Sequence, residues 1–459
     1  MMKDTDFTLR DFLAGRIWHR EHIPFDTEII DAHIKAGHIK VISGVTKTSK
    51  YFQQTHYFCR RCENEEQARF TTFQCAKCDG PCAYCRQCLK MGRVSVCTEL
   101  IAWIGEDLVF ANDHQIAWQG NLTPLQKKAS AELIESNHQK KSHLIYAVCG
   151  AGKTEILFEP IYELLKDGKR ICLAAPRVDV ILELEPRLKA AFPETPIDAL
   201  YGGAKPSLAP AQLILATTHQ LYRFQEAFDV IFVDEADAFP YTADGTLKRA
   251  VKKAAKKDAP IHFVTATPSK QLIVEANKQG AISSIPRRFH GHPLPVPRYE
   301  SLWNYKQKFE KGKLPPKLVN WVRERLDHQQ PFLIFFHHIE LMEKALPIFQ
   351  TIDERIQSVH AAHENRKAHV LALRNNEVPG LLTTTILERG ITIPNVQVAV
   401  VGAEQQIFTK GALVQIGGRV GRAVTYPDGD FVLFHHGISN AMDDARKEIV
   451  NLNKKGGKL

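Results

Sequence analysis

The chain has 459 residues, 44% hydrophobic and 24% charged. That is the composition of a folded globular protein, with length for about three domains. Net charge is +9 with a pI near 8.9, which suits a polyanionic partner without requiring one. No apolar run approaches the ~18 residues needed to cross a bilayer. The opening MMKDTDFTLRDFLAGRIWHR has early acids and no apolar block, which excludes a secretory signal, so a cytoplasmic location is expected.

Residues 1–55 are weakly patterned. Residues 56–100 form a cysteine-rich module that holds eight of the ten cysteines, Cys59 to Cys97. In a reducing compartment, thiols in C-x-x-C pairs read as metal ligands rather than disulfides. Residues 101–121 form a linker, whose apolar pieces IAWIG and LVFAN read as a short strand pair. Over 122–285 the pattern changes. LIYAV, RICLAA, LILAT, DVIFVDE and IHFVTAT alternate with amphipathic helices such as KTEILFEPIYELLKDG. Such alternation implies a parallel sheet covered on both faces. Residues 286–300 include PRRFHGHPLPVP, whose prolines predict a rigid extended connector. A second alternating series occupies 301–440, with FLIFF, RIQSVH, GLLTTT, VQVAVVGA and DFVLFHH. A helix and basic tail are expected over 441–459.

AVCGAGKTE, 147–155, follows a strand and opens a helix. A glycine-rich turn there, with Gly150 and Gly152, points backbone N–H groups at an anion, and the helix start adds a positive dipole end. Lys153 would reach the β- and γ-phosphates of ATP, and the Thr154 hydroxyl would ligate Mg²⁺. DVIFVDEADAF ends a strand in acids: Asp234 is placed to hold Mg²⁺, and Glu235 to polarise the attacking water. In QIGGRVGR, Arg419 and Arg422 are three apart and share a helical face. Across a cleft from the phosphate loop they would act as arginine fingers.

Together these motifs resemble a superfamily 2 helicase-type motor. A-x-x-G-x-G-K-T at 147–154 is that group's form of the phosphate loop. LTPLQ, with Gln126, resembles its adenine-contacting motif. APR (175–177) and ATTHQL (216–221) resemble its nucleic-acid contacts, TATP (265–268) its coupling motif, and TTTILERGITIP (383–394) its motif V. CRRC, YCRQCLKMGRV, RFHGHPLPVP and TTTILERGITIP are narrower. With them the chain resembles the ComFA family, ATP-driven motors of bacterial natural competence, from about residue 55 to 450.

The resemblance implies two tandem RecA-like α/β domains preceded by a small cysteine-rich zinc module. It implies a translocase on single-stranded DNA that drives uptake of transforming DNA. Its partners would be of the ComFC, DprA and membrane-channel ComEC type, and it would work peripherally at the inner face of the membrane; self-assembly is compatible with it. In VHAAHENR, His363 stands where the family's segment carries an acid. Two other readings fit the same motifs. One is a zinc-containing replication-restart DNA or RNA helicase. The other is a non-catalytic adaptor switched by ATP, against which Glu235 and both arginines count.

Cys59, Cys62, Cys85 and Cys88 are the two pairs that match the family pattern. Two such knuckles make a tetrahedral Cys₄ site, the geometry zinc prefers. Cys75, Cys78, Cys82 and Cys97 remain: a second Cys₄ zinc site, or free thiols beside one site. Cys82 and Cys85 are also spaced as a pair, so a permuted pairing stays open, and ligand type alone admits an iron–sulfur cluster. Cys149 and Cys172 read as core residues.

The module also carries Arg60, Arg61, Lys77, Arg86, Lys90 and Arg93 with Tyr57, Phe58 and Tyr84. This is either a single-strand surface or a solvated face. TLKRAVKKAAKKDAP, 246–260, predicts a helical stripe of Lys248, Arg249, Lys252, Lys253, Lys256 and Lys257 opposite Val251 and Ala255. That stripe is a solvated face, a contact to anionic lipid, or a contact to DNA phosphates.

Overall fold

The computed structural model describes residues 5–48, 55–205, 207–360, 365–389 and 392–457. His363 lies outside the described residues.

The first α/β domain is built on seven parallel strands. Their order is Ile197–Leu200, Leu213–Thr217, Ile171–Ala175, Val230–Asp234, Ile261–Thr265, Leu144–Ala147 and Ile282–Ile285. The central runs LILAT, ICLAA and VIFVD are buried at every residue, as a sheet covered on both faces demands. Alternate side chains feed two cores. Leu173, Leu215 and Phe232 face one side with Ile145, whereas Cys172, Ile214 and Ile231 face the other. The helix Pro124–His138 opens with a reciprocal cap between Thr123 and Gln126.

The second domain has six parallel strands. Their order is Arg298–Ser301, Phe431–His435, Gln397–Val401, Phe332–Phe336, Gly380–Thr383 and Gln357–Val359. Leu333, Phe335, Val398 and Leu433 belong to the same contiguous apolar core as the first domain's Leu173 and Phe232. The C-terminal helix Asn440–Gly456 packs on the helix Lys410–Gly417. Tyr146 of the first domain donates to Glu448 of that terminal helix.

The N-terminal hundred residues are organised differently from the expectation. The strand Glu99–Trp103 lies between Ile17–His19 and Ile39–Ser43 in an antiparallel sheet. It therefore crosses the module boundary expected at 100. IAW completes that strand, and LVFAN is not a strand, so the expected strand pair is not formed. The weakly patterned segment carries helices Thr5–Leu13 and Thr27–Lys35. Their apolar residues Leu9, Phe12, Leu13 and Ile30 pack on Ile101.

The basic stripe is also corrected. The helix ends at Ala254, leaving Lys256 and Lys257 beyond it. Lys253 turns inward, and Lys256 pairs with Asp229 at 3.1 Å. Lys248, Arg249 and Lys252 remain exposed on the helix.

A buried histidine pair crosses the first sheet. His262 is fully buried: its Nδ1 accepts from the His143 backbone N–H at 3.1 Å, and its Nε2 lies 2.7 Å from Asn137 Oδ1. With Nδ1 accepting, the ring is neutral, and burial pulls its pKa down to about 3. An unfolded histidine titrates near 6.5. Between those values the unfolded chain binds a proton that the folded one does not. This contribution is therefore intact above pH ~6.5 and erodes as pH falls. From pH 7 to 5, wild type should lose about 2 kcal/mol more stability than His262→Gln. Equal losses in the two proteins, measured by thermal unfolding, would refute this.

Candidate active site

The phosphate loop, residues 147–152, leaves the strand Leu144–Ala147 and enters the short helix Lys153–Ile156. Gly150 and Gly152 hold φ of +81° and +71°. At Gly152 a Cβ would stand 2.4 Å from Gln126 Nε2, so glycine is required by both conformation and space. Gln126 accepts from Thr123 N–H at 2.7 Å and donates to Ala151 O at 2.8 Å. It thus ties the loop to the helix Pro124–His138 while lining the cavity.

That cavity, about 750 Å³, lies between the two α/β domains. The first domain contributes Lys153, Thr154, Asp234 and Glu235, and the second contributes Arg419 and Arg422. All the residues singled out for nucleotide chemistry thus meet in one place. Burial pushes Asp234 up to about 6, against the pull of Lys153. A buried carboxylate of this kind, beside a threonine hydroxyl, suits a hydrated Mg²⁺. Glu235 adopts φ +52°, rare for a non-glycine residue. Its Oε2 has no hydrogen bond among the described residues and lies 3.4 Å from the Arg389 guanidinium. Arg419 Nε donates to Glu388 O at 3.0 Å, and Arg422 lies 3.9 Å from Glu183 of the first domain.

Arg389 was not singled out from the sequence. It is 3% exposed and reaches across the cleft to both oxygens of Asp237. Thr265 and Thr267 donate to the same carboxylate. Burial would raise Asp237, but Arg389 and the two hydroxyls hold it at about 2. Three carboxylates, Asp237, Glu235 and Glu388, keep Arg389 charged against its own burial. The signal was available: Asp237 is the last acid of the DEAD run and had no assigned role, and a buried acid needs a cation. Further links across the cleft are Arg366 to Asp179 at 2.7 Å, Arg177 to Glu388 at 3.8 Å and Cys149 Sγ to Gln415 at 3.0 Å. The cleft is closed. Cys149 is therefore a cleft residue rather than a core one, whereas Cys172 is buried in the sheet.

In ATTHQL, Thr217, Thr218 and Gln220 are buried at a strand end. Thr218 Oγ1, Gln220 Oε1 and Arg177 Nη1 have no hydrogen-bond partner among the described residues. Buried polar atoms seldom stay unpaired without an absent ligand or water.

The cysteines gather into two sets. Cys59, Cys62, Cys85 and Cys88 converge, with Cys59–Cys88 at 3.7 Å and Cys62–Cys85 at 3.6 Å between sulfurs. Cys75, Cys78, Cys82 and Cys97 form the other, with sulfurs 3.7 Å apart for Cys75–Cys97 and 3.8 Å for Cys82–Cys97. Tetrahedral Zn–S bonds of about 2.3 Å require sulfurs about 3.8 Å apart, so each set can hold one such ion. An iron–sulfur cluster would need its sulfurs farther apart. Cys82 and Cys85 do not pair: three residues apart on the strand Gly80–Cys85, they point to opposite faces.

The first set is fully buried and packs on the outer core of the first domain, with Cys172, Ile214 and Tyr222. Arg61, expected on the surface, is 2% exposed and threads this site. It donates to Cys88 Sγ at 3.4 Å, to Cys88 O at 3.0 Å and to Met91 O at 3.0 Å. Lys253, from the helix Gly245–Ala254, donates to the carbonyls of Arg61 and, at 3.0 Å, Tyr222. In the second set Cys78 is exposed.

Comparison with known proteins agrees with this architecture. Residues 3–102 match the family described as the competence protein ComFA N-terminal domain. Residues 119–270 match the type III restriction enzyme res subunit, and 315–424 the helicase conserved C-terminal domain. The chain is 42% identical to competence protein ComFA of Bacillus subtilis, over 100% of this chain and 98% of that one. It is 40% identical to competence protein ComFA of Streptococcus pneumoniae, over 82% and 86%. Among solved structures, Saccharomyces cerevisiae Dbp5 bound to RNA and ADP–BeF₃ aligns over 74% of this chain and 93% of that one, at 15% identity and TM-score 0.51. Mss116p bound to single-stranded RNA and AMP-PNP aligns over 68% and 69%, at 18% identity and TM-score 0.54. At such identities these two likenesses speak to fold alone.

Proposed function

The chain belongs to the ComFA family of competence proteins, and from that premise we propose that it is an ATP-driven translocase that draws single-stranded DNA inward during transformation. The observation that carries this reading is the closed cleft, where the phosphate loop and acids of one domain face two arginines of the other. Lys153 and the loop N–H groups would hold the phosphates. Thr154 and Asp234 would hold Mg²⁺, which neutralises phosphate charge and orients the γ-phosphoryl group. Glu235 would orient and polarise the attacking water. Arg419 and Arg422 would stabilise the charge that develops on the transferred group.

Asp237, with Thr265, Thr267 and Arg389, would report cleft closure to the coupling motif TATP. The unpaired Thr218, Gln220 and Arg177 atoms, at strand ends of the first domain, support a backbone-binding surface there. The chain carries no described helix long and apolar enough to cross a membrane. Inward movement of DNA would therefore require docking to a channel of the ComEC type and handover to partners of the ComFC and DprA type. In this reading zinc fills the buried Cys₄ set and shapes the N-terminal module, and the outer set holds a second ion.

Steady-state ATP hydrolysis tests the reading. Single-stranded DNA should stimulate turnover far more than duplex DNA or RNA, and Lys153→Ala should abolish it. Stimulation by RNA instead, or by no polymer, would overturn it in favour of an RNA helicase or an ATP-switched adaptor.

A further inference from the structure

The connector between the two α/β domains carries an arginine with an unusual set of contacts. Arg288 is 2% exposed, and among the described residues its guanidinium bonds to carbonyls and to no carboxylate. Its Nη1 donates to Gly421 O at 2.6 Å and its Nη2 to Val420 O at 2.7 Å. Those two carbonyls belong to the residues that separate Arg419 from Arg422. His290 Nε2, two residues along the connector, lies 3.2 Å from the same Gly421 O. The turn is closed around the guanidinium: Gly421 has φ +66°, and a Cβ there would lie 2.9 Å from Arg288 Nη1 and 2.1 Å from Pro427 O.

The same stretch also touches the phosphate loop. The Arg288 stem lies over Gly150, where a Cβ would stand 3.5 Å from Arg288 Cγ. Phe289 N–H donates to Gly150 O at 3.0 Å, and the Phe289 side chain lines the nucleotide cavity. Two adjacent connector residues thus hold the phosphate loop on one side and the arginine turn on the other.

We propose that Arg288 is a positioning residue that sets the distance of the arginine-bearing turn from the phosphate loop in the closed cleft, so that Arg419 and Arg422 meet the nucleotide in register. The proposal rests on the ATPase reading above. A planar guanidinium suits this task because one fork serves two successive carbonyls, which a lysine ammonium cannot copy. Arg288 acts through the turn and does not itself touch the phosphates. Its loss should therefore weaken the transition state more than it weakens ATP binding.

The test uses the full-length, metal-loaded protein with saturating single-stranded DNA, comparing wild type, Arg288→Ala and Arg288→Lys. Arg288→Ala should lower kcat about tenfold to a hundredfold, the scale expected when catalytic groups are misplaced by about 1 Å. Its KM for ATP should move less than about threefold. Its binding advantage for ADP–beryllium fluoride over ADP should shrink in parallel with kcat. Arg288→Lys, which keeps the stem and the charge, should recover part of the loss.

Wild-type kcat in a folded Arg288→Ala protein would overturn the proposal. So would a fall in activity that merely tracks the folded fraction. If the alanine variant does not fold, the lysine variant decides: wild-type kcat and the wild-type binding advantage there would overturn it. Absence of turnover in wild type would instead strike the ATPase reading.

Discussion

Arg389→Ala should lower DNA-stimulated ATP turnover about a hundredfold while leaving nucleotide affinity nearly unchanged. The pair it breaks spans the cleft, with Arg389 Nη1 and Asp237 Oδ1 3.2 Å apart and both residues almost fully enclosed. Removing one partner of a buried pair costs about 3–5 kcal/mol, because the other charge is left uncompensated. Here the penalty falls on closure, since an open cleft would let water reach Asp237. The lower end of that range corresponds to about a hundredfold fewer closed molecules. Asp237→Asn should lower turnover less, because one of the two threonine hydroxyls can still donate to the amide oxygen while Glu235 and Glu388 still flank the Arg389 charge. Combining the two changes should cost much less than the sum of their single effects. Strict additivity in that double-mutant cycle would refute the assignment.

Cys62→Ser should remove one metal ion per chain and unfold the N-terminal module. Cys78→Ser should remove one ion and leave the module folded. Both effects would be read by metal analysis together with limited proteolysis. Structural zinc contributes about 10–16 kcal/mol of folding free energy at neutral pH in small modules. That matches or exceeds the ~5–15 kcal/mol by which whole domains are stable. The first set is fully buried and its packing continues into the first domain's core, so its loss should also lower the Tm of that domain. The second set includes the exposed Cys78 and sits away from that core, so its loss has little to collapse. Equal stability of the two variants would contradict this difference.

The two helicase-type domains were legible in the sequence because their signals are local. AVCGAGKTE, DVIFVDEADAF and QIGGRVGR each carry their chemistry within ten or so residues, and their strands are continuous apolar runs. What stayed hidden depends on partners far along the chain. Arg61 reads as one more surface cation until the fold wraps it in the carbonyls of Met91 and Gly92. Lys253 continues a lysine run, and the carbonyls of Arg61 and Tyr222 turn it inward. Leu9, Phe12 and Leu13 make a short apolar stripe whose counterpart, Ile101, lies some ninety residues later. Spacing alone made Cys82 and Cys85 a candidate pair; the strand's two-residue period separates them. Arg288 lay inside a proline-rich stretch read as a connector and as a mark of the family, with no role given to its single residues.

The N-terminal unit is stapled to one side of the motor. Arg170 donates to Ala14 O at 2.8 Å, Gln225 N–H to Gly15 O at 2.9 Å, and Arg16 lies 3.6 Å from Asp198. Gln87 adds a bond to Thr246 at 3.1 Å. Every one of these partners belongs to the first α/β domain. In mechanical terms the N-terminal unit and the first α/β domain are one body, to which the second domain is joined by the connector and by the links across the cleft. In the translocase reading proposed above, anything that grips that body from outside would hold the first domain still, so that each closure of the cleft would displace the second domain alone.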